Sequence, residues 1–252
     1  MSTSVPQHSS APPSCDVAVI VGASGGIGSA LLAQVARDDR FGCVLALSRS
    51  AINCDGARVV TGKIDLTEEA SIAGAASQAR SLGRVRLVIV ASGLLHAHGL
   101  RPEKQWGALQ ADTMARAFAI NSIGPALVAK HFLPLLPRQG RSVFAALSAR
   151  VGSIEDNRLG GWYAYRASKA ALNMLLKTLA IELSRRAPEA LCIGLHPGTV
   201  DTQLSRPFRD NVAAQRLFTA AQSAAHLLRV IDHAHSNDSG RVLAWDGSIV
   251  PA

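Results

Sequence analysis

Cysteine is scarce and unpatterned in this chain. Four of the 252 residues are cysteine, and Cys15, Cys43, Cys54 and Cys192 show no CxxC or other ligand spacing. Cys43 and Cys192 fall inside apolar runs, where a thiol acts as a small hydrophobe. This pattern excludes a disulfide scaffold and predicts reduced core or surface thiols. Long hydrophobic runs are missing too: no stretch reaches the roughly 18 uninterrupted apolar residues of a membrane span. The Ser/Pro-rich opening, MSTSVPQHSSAPPS, has neither the basic nor the apolar region of a secretory leader. The expectation is a disordered tail over residues 1–14 followed by one domain over 15–252, in a soluble cytoplasmic protein without a membrane partner. There is no internal repeat and no interior linker. His96/His98 and His233/His235 form two HxH pairs, but neither has carboxylate or cysteine partners at ligand spacing, so loop histidines and no metal site are expected.

Negative charge is the scarcer sign, with 18 acidic residues against 26 basic ones and a net charge of +8. That balance fits an anionic partner. The arginines are nevertheless scattered through predicted helices and loops rather than clustered with aromatics, which argues against nucleic acid. A phosphate-rich ligand needs only one or two of these charges, and the rest suit a solvated surface.

What the chain has in quantity is apolar residues, 48% of the total, enough at this length for one full core. They come as short runs: Asp16 to Val21, Cys43 to Ser48, Leu87 to Ala91, Ser142 to Ser148 and Leu191 to His196, with ARVVTGKID and Gly240 to Trp245 as further strands. Strands rich in Val, Ile and Leu at every position are buried on both faces, which predicts a parallel sheet covered by helices. Helical patterns fall between them at Gly26 to Ala36, Glu68 to Ser81, Asp112 to Leu136 and Tyr163 to Arg186. The alternation predicts an α/β doubly wound Rossmann fold of about seven strands with right-handed crossovers.

Two local patterns carry chemistry. Gly22, Gly26 and Gly28 sit where the first strand gives way to a helix. A tight turn, close backbone approach to a pyrophosphate and close helix packing all demand glycine there, and the helix N-terminus faces the phosphates with unpaired N–H groups. Tyr165 and Lys169 are four residues apart, so phenol and ammonium share one helix face, about 6 Å apart at the backbone. A neighbouring cation favours phenolate and is expected to lower the phenol pKa from its ordinary value near 10. Tyr163 has Ala167 at the same offset and lacks this partner. Ketone reduction needs hydride at carbon and a proton at oxygen, and Tyr165 is the expected proton donor. Ser148, at a strand end on the carboxyl edge, is expected to donate a hydrogen bond to the substrate oxygen.

These motifs together resemble the short-chain dehydrogenase/reductase family over nearly the whole chain beyond the tail. The GxxxGxG spacing of Gly22 to Gly28 is similar to the family's phosphate loop, which implies cofactor contacts from Gly22, Ser24, Gly25, Gly26, Ile27 and Gly28. Asp65-Leu66 resembles the family's adenine-binding pair, and Ala91-Ser92-Gly93 stands where Asn-Ala-Gly is usual. Asn121 matches the helix asparagine of the catalytic tetrad, completed by Ser148, Tyr165 and Lys169. Pro197-Gly198-Thr199-Val200-Asp201-Thr202 is similar to the loop that contacts nicotinamide, which implies roles for Pro197, Gly198, Val200 and Thr202. The resemblance further implies that Lys169 holds the nicotinamide ribose hydroxyls and that Asn121 supports a water leading from Lys169 to solvent. SARVGSIEDNRLGGWYAYRASKAALN and HPGTVDTQLSRPF most resemble the branch holding sniffer-type carbonyl reductases and C-factor. Ser92 replaces an amide, and the segment between Ser148 and Tyr165 is a few residues longer than in many members.

The expected activity is an NADPH-dependent oxidoreductase acting on a small-molecule carbonyl or alcohol. NADP(H) is preferred because Ser48 occupies the place where an NAD-specific fold puts an acid, and Arg49 supplies a permanent planar donor for a 2′-phosphate. The alternative is a cofactor-binding regulatory or signalling protein of the C-factor type, against which the intact tetrad argues. The family implies a homodimer or homotetramer. Leu204, Pro207, Phe208 and Phe218 offer an apolar surface to a ligand beneath a mobile lid or to a second subunit.

Overall fold

Apolar strands that bury both faces assemble here into one sheet, and the chain order of its strands places every loop that matters on one edge. The computed structural model describes residues 15–52, 54, 56–97, 101–206 and 217–252. The tail expected over 1–14, His98, and Pro207 and Phe208 of the expected lid lie outside the described residues.

Strands β1 (Asp16–Val21), β2 (Cys43–Ser48), β3 (Val59–Lys63), β4 (Arg84–Val90), β5 (Ser142–Leu147), β6 (Ala190–His196) and, as the ninth in chain order, β9 (Val242–Ala244) form the seven-stranded sheet. Two short strands, β7 (Thr199–Val200) and β8 (Leu217–Phe218), pair separately. The large sheet runs β3-β2-β1-β4-β5-β6-β9, all parallel. The order reverses between β1 and β4, and the crevice beyond their carboxyl ends is where such folds take ligands.

Alternation along β1 divides the core. Val17, Val19 and Val21 face one layer, with Ile72, Phe132, Leu172 and Leu176. These come from α2 (Glu69–Leu82), α4 (Gly124–Phe132) and α5 (Tyr163–Arg186). Ala18 and Ile20 face the other layer, with Leu31 and Leu32 of α1 (Gly26–Val35) and Leu227 and Val230 of α6 (Ala220–His233). This is the α/β doubly wound arrangement, with helices on both faces.

Two features depart from the sequence expectation. The single helix expected over Asp112 to Leu136 is broken into α3 (Ala111–Phe118), a π turn over Ala119–Ile123, α4 and a 3-10 turn over Leu133–Leu135. Pro125 has no N–H to return to the Asn121 carbonyl, and the ladder slips to i→i+5, with Gly124 N–H donating to Ala119 O. The second is α6, which periodicity between Thr202 and the last strand did not reveal. Its start is marked by a capping box in which Thr219 and Gln222 satisfy each other's backbone N–H groups.

Among the described residues no helix is long and apolar enough to cross a membrane.

Candidate active site

Three loops converge at the crevice, and the glycines show how closely. Gly22 leaves β1 with φ +85°, and its N–H donates to Leu47 O at 2.8 Å, tying the turn to β2. A Cβ on Gly22 would lie 2.6 Å from Ser92 Oγ, and one on Gly26 would lie 2.7 Å from Thr202 Cγ2. A Cβ on Gly28 would collide with the Gly22 carbonyl oxygen. The first loop is thus pressed against Ala91-Ser92-Gly93 on one side and Thr202 on the other. Helix α1 starts at Gly25 with no side-chain cap and no acid in its first turn. Its leading N–H groups and positive end are suited to an anion, so the cradle fits a dinucleotide pyrophosphate. Ile27, half-buried in the first turn of α1, packs against the core.

Toward the sheet's β2 side, Ser24 and Ser48 hydroxyls lie 2.5 Å apart, and Ser50 N–H donates to Ser48 Oγ at 3.2 Å. Arg49 beside them is exposed. Asp65 accepts from the Thr67 N–H at 2.9 Å and hydroxyl at 2.7 Å. The Thr67 N–H first, then its hydroxyl, hold the Asp65 carboxyl below the usual range, with smaller help from the charges of Arg49 and Lys63. Leu66 is buried.

The other half of the crevice is built from side chains. Asn121, fully buried in the π turn, accepts from Leu94 N–H at 2.7 Å and donates to Leu94 O at 2.8 Å and Ser168 Oγ at 3.0 Å. Ser168 in turn donates to the Tyr165 carbonyl at 2.9 Å. Lys169, only 2% exposed, donates from Nζ to Leu147 O at 2.7 Å, and Nζ stands 5.8 Å from the centre of the Tyr165 ring. Gly93 closes the group, its Cβ position falling within 3.8 Å of both Asn121 Oδ1 and Lys169 Nζ. Ser148 is buried at the end of β5 and donates to Asn173 Oδ1 at 2.6 Å.

One expectation is corrected here. The Lys169 ammonium was expected to lower the phenol pKa, but burial pushes half-buried Tyr165 up to about 12 and Lys169 down to about 8. Desolvation disfavours both charged forms, and the ammonium is turned to the Leu147 carbonyl.

The entry to α5 is held from a distance. Gly160, Gly161 and Trp162 take left-handed φ of +62°, +64° and +52°, and the Trp162 ring meets Tyr165 edge-on at 6.3 Å. Buried Glu103 receives two of the donors at the helix start: Trp162 N–H at its carbonyl, 2.5 Å, and Ala164 N–H at Oε2, 3.2 Å. A carboxylate at the positive end of a helix is favourably placed. Glu103, Ser168 and Asn173 escaped sequence reasoning, for their partners lie 61, 47 and 25 residues away.

At the remaining edge Pro197 O accepts from Ser223 Oγ at 2.9 Å, Gly198 has φ +75°, and buried Val200 pairs with Phe218. A Cβ on Gly198 would lie 2.7 Å from the Phe218 ring, which with His226 and Trp245 forms an aromatic cluster. His96 Nε2 meets Gln203 O at 2.9 Å, and His233 and His235 pair with Arg229 O and Asp238 at the far end of α6.

A family model described as short chain dehydrogenase matches residues 16–213. The chain belongs to the short-chain dehydrogenase/reductase family. It is 32% identical over 238 residues to a 1-hydroxy-2-glutathionyl-2-methyl-3-butene dehydrogenase of Rhodococcus sp. strain AD45, covering 92% of this chain and 97% of that one. It is 38% identical over 138 residues to the C-signal protein of Myxococcus xanthus, covering 55% and 78% respectively. Its fold is similar to that of carbonyl reductase Sniffer of D. melanogaster, with a TM-score of 0.79, 20% identity, and 95% and 99% of the two chains covered. Membership in the family makes the chain an oxidoreductase by family, and its likeness to C-signal accords with the branch that the sequence motifs resemble.

Proposed function

We propose that this chain is an NADP(H)-dependent oxidoreductase that transfers hydride between nicotinamide and a carbonyl or alcohol substrate. The observation that carries the reading is the meeting, on one sheet edge, of a glycine-built phosphate cradle and a helix presenting Tyr165 and Lys169 in contact. Nicotinamide supplies or accepts the hydride. The residues of the chain handle the proton and the charge. Tyr165, held protonated by its burial, gives its proton to the ketone oxygen as negative charge grows there, and takes it back in alcohol oxidation. Lys169, with a value near 8, exchanges protons close to neutral pH and can restore the phenol. Family likeness supports Asn121 as the holder of a water on that route and Lys169 as the ribose contact. The name of the Rhodococcus relative, a dehydrogenase of a hydroxyl-bearing compound, supports the alcohol side of the pair.

Gly22 to Gly28, Ala91 to Gly93 and Pro197 to Thr202 surround the cofactor in this reading, and Asp65 and Leu66 meet the adenine. Ser48 and exposed Arg49 favour NADP(H), because position 48 carries a hydroxyl rather than an acid that would repel a 2′-phosphate, and the Arg49 guanidinium can pair with it. A charge-assisted contact of about 1.5–3 kcal/mol corresponds to a roughly ten- to hundredfold preference. Fluorescence titration of both cofactors should show tighter NADPH binding, and S48D combined with R49A should swing the preference to NADH. Equal affinities in the parent would sink the assignment. A homodimer or homotetramer is in keeping with Met174 and Ile181, apolar residues of α5 left 67% and 48% exposed.

Turnover is tested with a panel of aldehydes, ketones and quinones followed through NADPH absorbance. Consumption with at least one of them is expected, and none with any would overturn the reductase reading. The C-signal likeness favours a second reading, a signalling protein whose cofactor-bound state is its output. In that case Y165F would keep the biological output that the reductase reading says it loses.

A further inference from the structure

We infer that Asn173 is a positioning residue for Ser148, holding the serine hydroxyl by its proton and fixing the turn that leaves β5. The inference deepens the reductase reading and rests on it for its effect on turnover. The Ser148 Oγ to Asn173 Oδ1 distance is 2.6 Å, at the short end for hydroxyl hydrogen bonds. The orientation of the amide follows from its other end. Asn173 Nδ2 faces Gly152 O at 3.5 Å, and a reversed amide would set two acceptors against each other. The amide oxygen therefore faces Ser148, and the serine is the donor.

Asn173 thus joins both ends of the turn that carries Ser148 over Arg150–Gly152. That turn lies flat on α5: a Cβ on Gly152 would fall 2.7 Å from Lys169 Cβ and 2.9 Å from the Lys169 carbonyl carbon. One helical step before Asn173, Lys169 binds the carbonyl of Leu147, the neighbour of Ser148. Positions 165, 169 and 173 share one face of the helix, so the face that presents Tyr165 also clamps two successive residues at the end of β5.

A serine hydroxyl has one proton and can occupy three side-chain rotamers. With the proton directed at Asn173, the oxygen is held in one of them and offers lone pairs elsewhere. Donation to a substrate oxygen then needs only rotation of the hydroxyl hydrogen, with the Ser148 oxygen already in place. Without Asn173 the side chain is free to leave that position.

The test is a double-mutant cycle on the panel compound that the parent reduces fastest with NADPH. N173A, or N173S should N173A not fold, is expected to lower kcat about ten- to a hundredfold, the upper end being the scale of a catalytic group misplaced by about 1 Å. KM and NADPH affinity should stay within about twofold. S148A should lose more, and adding N173A to S148A should cost nothing further, because Asn173 acts only through Ser148. An unchanged kcat in N173A, or losses that multiply in the double variant, would overturn the inference. High-resolution crystal structures of the parent and N173A decide it without turnover. Ser148 should adopt one rotamer in the parent and several in the variant, and a single unchanged rotamer in both would refute the role even if no panel compound is reduced.

Discussion

The two halves of the crevice are made in different ways. The β1–β2 half is backbone: its shape comes from places where no side chain fits, such as Gly22 against Ser92 and Gly28 against Gly22. The β5–α5 half is side chain: Asn121 with Ser168, Ser148 with Asn173, Lys169 with Leu147. The first half is vulnerable to one added carbon and insensitive to which polar group stands nearby. The second depends on particular donor and acceptor pairs, although it too is close-packed where Gly152 meets Lys169. Binding a long anionic cofactor calls for an invariant surface, whereas moving a proton calls for groups whose affinities are tuned singly.

The largest effect that would break this contrast is at Gly28. G28A places a methyl on the Gly22 carbonyl, and the turn and helix must part. A cost of about 3 kcal/mol or more and a melting temperature lower by about 10 °C are expected, with cofactor affinity reduced more than about a hundredfold. Calorimetry and cofactor titration measure both, and a stable, cofactor-binding G28A would mean that the loop is not close-packed.

Y165F is the counterpart in the second half. It removes one oxygen and leaves the fold, so turnover should fall at least about 10²-fold while cofactor affinity and melting temperature hold. Near-normal reduction of a panel compound by Y165F would remove Tyr165 from the proton path.

Lys169 gives a pH signature next in size. Its folded value near 8 lies below the ordinary 10.5, so between these values the unfolded chain binds the proton that the folded one has lost. The Lys169 contribution to stability therefore rises with pH across that window, by about 2 kcal/mol between pH 7.5 and 9.5. Buried Cys192, its thiol pushed from an ordinary 9 up to about 12, works against this from about pH 9, and Tyr165 joins it above 10, because each folded group keeps a proton that the unfolded one releases. Urea unfolding should show stability of the parent rising more steeply with pH than that of K169M, which keeps only the opposing thiol contribution. Parallel curves would mean that Lys169 is hydrated when folded.

The smallest effect separates glycine as such from glycine under pressure. Gly74 lies within α2, and a Cβ there would meet nothing within 4 Å. G74A should stabilise the protein by about 0.5–1 kcal/mol, read as a slightly higher urea midpoint. Destabilisation would show that the geometry around glycines is a poor guide to their tolerance.

The same division explains what the sequence could tell. Strands β1, β2, β4, β5 and β6, the glycine turn and the Tyr165–Lys169 offset are local patterns, and each stands within a residue or a few of where periodicity places it. The π turn was less visible, although Pro125 marks it, because a proline in a helical pattern reads as a kink or an end rather than a change of ladder. Helix α6 had its signal in Thr219 and Gln222, masked by a mixed, weakly periodic stretch before it. Asn173 and Glu103 had no local signal. One looks like an ordinary polar position on a helix and the other like a surface acid, until folding brings Ser148 and the start of α5 against them. The direction of the Tyr165 and Lys169 shifts was out of reach for the same reason, since burial depends on what the rest of the chain packs around the pair.

The two-residue pairing of β7 with β8 has a consequence for how new specificities arise. Thr199 and Val200 lie beside Leu217 and Phe218, and Asp201 N–H donates to Phe218 O at 2.8 Å, so the chain departs and returns at nearly one point. Lengthening a segment between such fixed ends adds a closure cost of about 0.6 kcal/mol for each doubling of its length. Behind the splice, Phe218 is seated against Gly198, His226 and Trp245, which makes the junction a socket. Lineages, or a library of grafts, can exchange what is plugged into it while the sheet, the cradle and the Tyr165 helix remain the common chassis.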